Sequence, residues 1–571
     1  MNNFTQTIEQ NLKPTELLLS TRECAGLFLL TFFMYIPGLF VPLMDNDSAH
    51  HANIALQMYL DGNYTQLLDQ GKPYLDKPHL LFWTAALSYQ VFGVTAFAYK
   101  LPSFLFTLLG TYSTYRLGSL LYDKDTGRLA ALIISTAFAY MLANNDVRMD
   151  AMLTGSIIFT LWQLCAYTQR MRLLHLVLAA LGLGLGFATK GMIGVAVPGI
   201  AFLLYLIYAR NWRMIFHWKW LVLILLFFVF ASPVLFAYYQ QFDLHPEVEV
   251  RGKTQLSGVR FILWDQNFER MQGEAFGGEG ETEYAYFLHT FLWAFLPWSI
   301  LTVLALFSRI KQLVESRLRY QPGLEMLTVG GILFFMLLFS LSKFKLPHYL
   351  NVLLPLYALL LAGYLHKNRS KPRQVKLYWG IQVIAMLAMA AVSMLINLWL
   401  FPVDQVWVMA LALVLCITWL RVAFSKLALY KKTIYWSVTG VAFTLFLLHA
   451  NFYPKLLSYQ GGSSLAAITK AQNIDPDRVY YYQTGHSFSY DFNTAHIHTY
   501  LGVEDIRNLQ NRQEQIWLIT EEAGLDSLQE NAIPVRRSYA TTHYRVSRLK
   551  WKFLNPETRP EALTPTYLLE L

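Results

Sequence analysis

Ten charged residues stand at or near the ends of apolar runs in this sequence: Asp47, Asp76, Lys77, Asp146, Arg148, Asp150, Lys190, Arg270, Lys343 and Lys345. A carboxylate can take up a proton or orient a nucleophile, and a lysine or arginine can hold an anion. Charges beside a bilayer are costly and are functional candidates by default. Each also has a plain structural reading. Asp47 can simply end a helix in water, and Arg148 and Asp150, two apart, do not face each other on a helix and can be separate anchors. Lys190 can be a turn residue, with Gly182, Gly184 and Gly186 only packing helices closely. Lys343 and Lys345 can snorkel toward headgroups. Convergence on one side of a membrane would favour chemistry, so the elements that place these residues decide.

The class follows from composition. The chain has 571 residues, 55% hydrophobic and 15% charged, with a mean hydropathy of +0.33, which places it among polytopic membrane proteins. Its net charge of +9 fits basic cytoplasmic loops rather than a nucleic-acid site. Cys24, Cys165 and Cys416 all lie inside apolar segments and indicate neither a disulfide framework nor a zinc site. The polar start is followed by an apolar run from Cys24 to Leu43 without a small-residue cleavage site, which reads as an uncleaved anchor. Thirteen apolar runs of spanning character fall at 24–43, 97–121, 128–144, 150–169, 173–187, 192–209, 218–239, 287–307, 323–342, 349–365, 377–400, 405–424 and 433–452.

With a cytoplasmic amino terminus, the cytoplasmic connections hold Lys124, Arg170, Arg172, Arg210, Arg213, the runs RIKQLVESRLR and HKNRSKPRQVK, and Lys426, Lys431 and Lys432. The positive-inside rule is obeyed. All ten charged candidates then come out on the other side, where Lys343 and Lys345 breach that rule and suggest a bound anion. Two long stretches lie there too, a catalytic loop at 44–96 and a second loop at 240–286. The segment from Leu80 to Gly93 is too short for a confident span and reads as a juxtamembrane helix. The expected architecture is an α-helical polytopic membrane domain over 1–452, with outer juxtamembrane helices, followed by a small extracytoplasmic α/β domain over 453–571. In that tail RVYYYQT, QIWLIT and TTHYRVSRL read as strands. His486, His496 and His498 have no accompanying ligand pattern such as HExxH, so no metal site is assigned.

The chain resembles the polyprenyl-phosphate-dependent glycosyltransferases of the GT-C class, in particular the bacterial branch that includes the aminoarabinose transferase of lipid A and relatives of protein O-mannosyltransferases. The likeness runs from about Leu43 to Leu365. It is carried by DSAHHANIALQM, YLDKPHLLFW, RMD at 148–150, GFATKGMIGVAVP, NFER at 267–270, FLPWS and SLSKFKLPHYL, in family order. Ser48 and His50 depart from the acidic and basic residues common there, and GGEGETEY replaces a stretch that often holds a histidine.

The resemblance implies a GT-C fold of about 13 transmembrane helices in the bacterial inner membrane, with site and tail facing the periplasm. It implies transfer of a sugar from a polyprenyl phosphate to an extracytoplasmic acceptor, lipid A or another glycolipid, or alternatively a protein. Its register selects Asp47, rather than Asp45, as catalytic, with Asp150 as the second carboxylate. Lys77, Lys343, Lys345 and Arg270 would hold the donor phosphate, with Tyr74 and Tyr349 as hydrogen-bond donors. Asp76, Arg148, Lys190 and His348 would support them. The donor is already activated, so neither nucleotide nor redox cofactor is needed; a divalent cation is left open. A lipid-linked sugar transporter or flippase would instead show internal repeats and charges at mid-span, and neither stands out. A noncatalytic relative that binds a lipid-linked sugar is the remaining alternative, supported by Ser48 and His50.

Overall fold

Helices occupy all thirteen apolar stretches, but two of the stretches are broken rather than continuous. The computed structural model describes residues 19–45, 47–266, 268–269, 283–321, 324–512 and 515–571. The run expected at 128–144 splits into Lys124–Ser135 and Phe138–Leu142, and the run expected at 287–307 splits into Tyr286–Ala294 and Ser299–Glu315. Pro297 has no N–H to continue a helix. The two breaks then satisfy each other, because Phe138 N donates to Leu296 O (3.0 Å) and Trp298 Nε1 donates to Thr136 Oγ1 (2.9 Å). Irregular backbone at membrane depth is tolerated only when paired in this way.

Among the described residues eight helices are long and apolar enough to cross a bilayer: Thr21–Phe40, Asp150–Arg170, Leu173–Lys190, Lys219–Asp243, Pro347–Lys367, Pro372–Leu400, Val406–Phe424 and Leu429–Leu457. The chain is a multi-pass membrane protein. Helix starts are capped locally. Ser20 and Glu23 form a reciprocal capping box, and Thr95 accepts from Ala98 N at the head of Ala96–Leu121.

The first long polar stretch is more ordered than a loop. It contains the helix Asp47–Asp61, a hairpin of β1 (Leu68–Asp69) and β2 (Lys72–Pro73), and the helix Leu80–Phe92 expected from sequence. The hairpin turn is Gln70-Gly71, both at positive φ (53° and 75°), the two-residue geometry that matches strand twist.

The C-terminal residues build one four-stranded sheet from β3 (Val479–Tyr481), β4 (Trp517–Glu521), β5 (Arg537–His543) and β6 (Thr564–Glu570), in the order β3-β4-β6-β5. β3 and β4 are parallel, and the other pairs are antiparallel. The strand expected at 541–549 instead ends at His543, its last six residues lying in the turn beyond. The central strand β6 was not expected at all, since Pro565 sits at its start, where a proline is tolerated.

Backbones come closest where the Leu173–Lys190 helix turns into Ile193–Tyr208. A Cβ built on Gly194 would lie 2.3 Å from Gly186 C, with no flexible side chain to yield. Gly194→Ala is therefore expected to cost about 1–3 kcal/mol, read as a lowered unfolding midpoint of the purified protein in detergent; an unchanged midpoint would contradict this packing.

Candidate active site

Three chain segments far apart in sequence deliver carboxylates and cations to one cavity of about 320 Å³. Its lining includes Asp47, Tyr74, Asp76, Lys77, Arg148, Asp150, Lys190, His348 and Tyr349. Nine of the twelve side chains singled out from the sequence therefore converge on one cavity.

The carboxylates are paired. Arg148 Nη1 lies 2.7 Å from Asp47 Oδ2, and its Nη2 lies 2.7 Å from Asp146 Oδ2. Lys190 Nζ donates to Asp150 Oδ1 at 2.9 Å, and the side chains are only 8% and 4% exposed. Arg148 and Asp150 point to different partners, as residues two apart at a helix start must. Lys190 also sits over the Tyr349 ring, 5.0 Å from its centroid. Asp47 differs from Asp150 in being 51% exposed. It stands where an incoming molecule can reach it.

The YLDKP block is clamped from outside. Gln241 bonds both the N–H and the C=O of Leu67, at 3.0 and 2.8 Å. Tyr238 OH donates to Leu75 O, Gln266 Nε2 donates to Asp76 O, and Arg251 pairs with Asp76. The second outer stretch thus holds Tyr74–Lys77 in place.

Lys343 and Lys345 are not on the cavity lining. Phe344, Leu346, His348 and Tyr349 are, the last two at the start of the short 3-10 helix Pro347–Leu353. Lys343 is exposed, and buried Lys345 lies 5.8 Å from the Tyr284 ring. Arg270 lies outside the described residues. Sequence reasoning gave no role to His51, although it follows Asp47 by one helical turn and shares its face. Burial, with His50 and the cations Lys77, Arg148 and Lys190 adding to it, pushes the His51 pKa well below its usual value, so its imidazole is neutral. His50 pairs with Asp69 of the hairpin at 2.8 Å.

The C-terminal residues reach this site. Asp45 accepts from Ser489 N (2.9 Å) and Ser489 Oγ (2.6 Å), Asn53 Nδ2 donates to Phe488 O, and the Phe488 ring lies 4.5 Å from His50. His486 and His498 flank buried Asp491 at 2.9 and 2.8 Å. Among the described residues no group of three His, Cys, Asp or Glu side chains is arranged to hold a metal ion.

Known proteins are similar to this chain in sequence and in fold. The family model described as dolichyl-phosphate-mannose-protein mannosyltransferase matches residues 76–236. An undecaprenyl phosphate-alpha-4-amino-4-deoxy-L-arabinose arabinosyl transferase of Pseudomonas paraeruginosa is 28% identical over 354 residues, 60% of each chain. The enzyme of that name from Edwardsiella ictaluri is 25% identical over 431 residues, 72% of each chain. The chain thus spans about 60% of the length of the Pseudomonas relatives it matches. The crystal structure of ArnT from Cupriavidus metallidurans bound to undecaprenyl phosphate superposes with a TM-score of 0.72 at 16% identity, covering 96% of this chain and 98% of that one. The fold is therefore the GT-C fold of ArnT, mostly helical with a small C-terminal sheet.

The half-buried contact at Asp45 carries a pH signature. Burial lifts its pKa to about 6, against the lowering effect of the Ser489 hydrogen bonds. The folded pKa exceeds the unfolded one, so between about pH 4 and 6 the folded state binds more protons. Docking of the C-terminal region is expected to weaken as pH rises through that window and to level off above it. Limited proteolysis across the pH series should show the slope in the native chain and a reduced slope in Asp45→Asn.

Proposed function

We propose that the chain is an integral-membrane glycosyltransferase that moves a sugar from a polyprenyl phosphate to an extracytoplasmic acceptor, lipid A or another envelope glycolipid. The observation that carries the reading is the meeting of Asp47–Arg148, Asp150–Lys190 and Lys77 in one cavity. The relatives' activity and the shared fold support it. The cavity faces the periplasm in this reading, consistent with basic residues gathering at the opposite helix ends.

Cleaving a sugar from its lipid phosphate builds negative charge on the leaving oxygen and positive charge on the ring. A cation fixed at the phosphate stabilises that transition state more than the ground state. Lys77 takes this part, with Tyr74 and Tyr349 as hydroxyl donors and the Lys190–Asp150 pair behind them. An acceptor oxygen attacks the anomeric carbon from the opposite face, the carbon–phosphate oxygen bond breaks, and the polyprenyl phosphate leaves with the electron pair. By analogy with the family the displacement inverts the anomeric centre. Arg148 fixes Asp47, whose carboxylate accepts the proton of an attacking hydroxyl or orients an attacking phosphate. Neutral His51 adds no competing charge. Among the described residues no group of three His, Cys, Asp or Glu side chains is arranged for a divalent cation, and no step is assigned to one.

A second reading, transfer to a protein, is favoured by the description of the family model over 76–236. Incubating the purified chain with membrane lipid extract or envelope protein, and following both by mass spectrometry, separates the two by which pool gains the sugar mass. Asp47→Asn is expected to lower turnover by about 10²-fold or more, and full turnover by that variant would falsify the catalytic assignment. Lys77→Ala should lose activity with either acceptor, since it acts on the donor.

A further inference from the structure

The Asp150–Arg170 helix begins in the candidate active site and ends at a second cavity, of about 410 Å³. At 1.5 Å per residue the two ends lie about 30 Å apart, the thickness of a bilayer's hydrocarbon core. The second cavity therefore sits at the other membrane interface. Its lining includes Tyr112 and Arg116 of Ala96–Leu121, Lys124, and Trp162 and Arg170 of Asp150–Arg170.

Three cations line this cavity and no carboxylate does. The acids nearest in sequence are engaged elsewhere, Asp123 with His366 (3.3 Å) and Asp125 with Arg128 (3.5 Å). Among the described residues none of Arg116, Lys124 and Arg170 is ion-paired with a carboxylate. Arg116 is instead held by aromatic rings, 4.9 Å from Trp162 and 5.6 Å from Tyr112, and donates to Tyr112 OH at 2.6 Å. The rings fix the guanidinium without neutralising it.

The same helix face says what reaches the cavity. Leu105, Tyr112 and Arg116 are seven and then four residues apart and so lie in one row. Leu105 is 54% and Tyr112 48% exposed. A bare leucine, then a tyrosine, then a cation is the order met on passing from hydrocarbon into headgroups. We propose that this cavity binds an anionic phospholipid, its phosphodiester between Arg116, Lys124 and Arg170 and its acyl chains running past Tyr112 and Leu105. The inference is independent of the sugar-transfer reading.

The test uses the full chain, delipidated in detergent and titrated with phosphatidylglycerol or phosphatidylcholine of equal chain length, with bound lipid counted by native mass spectrometry. One phosphatidylglycerol should be retained in clear preference to phosphatidylcholine. Arg116→Gln/Arg170→Gln should weaken that retention about tenfold or more, while Arg213→Gln/Lys426→Gln, which removes basic residues elsewhere, should not. Absence of preference in the native chain, or equal loss in both double variants, would overturn the site in favour of diffuse surface attraction. Displacement by millimolar inorganic phosphate would overturn the lipid assignment. Should the first double variant fail to fold, Lys124→Gln at an exposed position must still weaken retention, and no change there sinks the proposal.

Discussion

The Lys190–Asp150 ion pair is almost shut off from water, and a pair so placed is tolerable only if its geometry is fixed. Removing each ion from water costs several kcal/mol, and their attraction offsets this only at good distance with neighbours that complete the hydrogen bonding. Much of the membrane domain supplies that precision. Lys190 is the last residue of a helix whose turn is closed by glycine-on-glycine contact, and a Tyr349 ring lies beneath its ammonium. Asp150 opens the preceding helix, where unpaired backbone N–H groups favour a carboxylate. Two residues earlier, Arg148 turns the other way to Asp47 and Asp146. One short segment therefore gives a negative charge to the floor of the cavity and a positive charge to its mouth.

Asp45 and Asp47 divide two tasks that look interchangeable in the sequence. Asp47 faces the cavity, whereas Asp45 receives both donors of Ser489 and binds the C-terminal residues to the entry of the first polar helix. Gln460 makes a parallel link, donating to Leu43 O (3.0 Å) and accepting from Asp45 N (2.8 Å). Through Phe488 against His50, the tail forms part of the site's surroundings rather than hanging apart from it.

The apolar helices were legible because burial in lipid demands long apolar runs, although among the described residues eight rather than thirteen are long and apolar enough to cross a bilayer. Their breaks at Thr136 and Pro297 were not, since each break is stable only because of the other. Asp47, Lys77, Arg148, Asp150 and Lys190 were legible as charges out of place, and topology gathered them on one side. Their partners were not, because pairing depends on rotamers and on which way a short loop runs. Lys343 and Lys345 show the limit most clearly. A charge pattern marks a segment, while the local path of the backbone decides which of its residues face inward, and here those are Phe344, Leu346, His348 and Tyr349. The tail's first two strands were readable as buried apolar runs. β6 was hidden by its proline, and the end of β5 by a polar alternation that continues into the turn.

The helix that joins the two cavities is also one that lipid scarcely touches, with 89% of its spanning window buried inside the protein, as is that of Leu429–Leu457. Lys219–Asp243 and Val406–Phe424, at 22% and 17%, are far more open to the bilayer, and Thr21–Phe40 and Pro372–Leu400, both at 39%, share that contact. A mismatch between hydrophobic length and membrane thickness is absorbed by tilting, thinning or snorkelling where protein meets lipid. Those adjustments fall on the outer helices, and the inner one acts as a strut of constant length. The distance between the two cavities is thereby set by covalent geometry, and lipids of different chain length leave it unchanged.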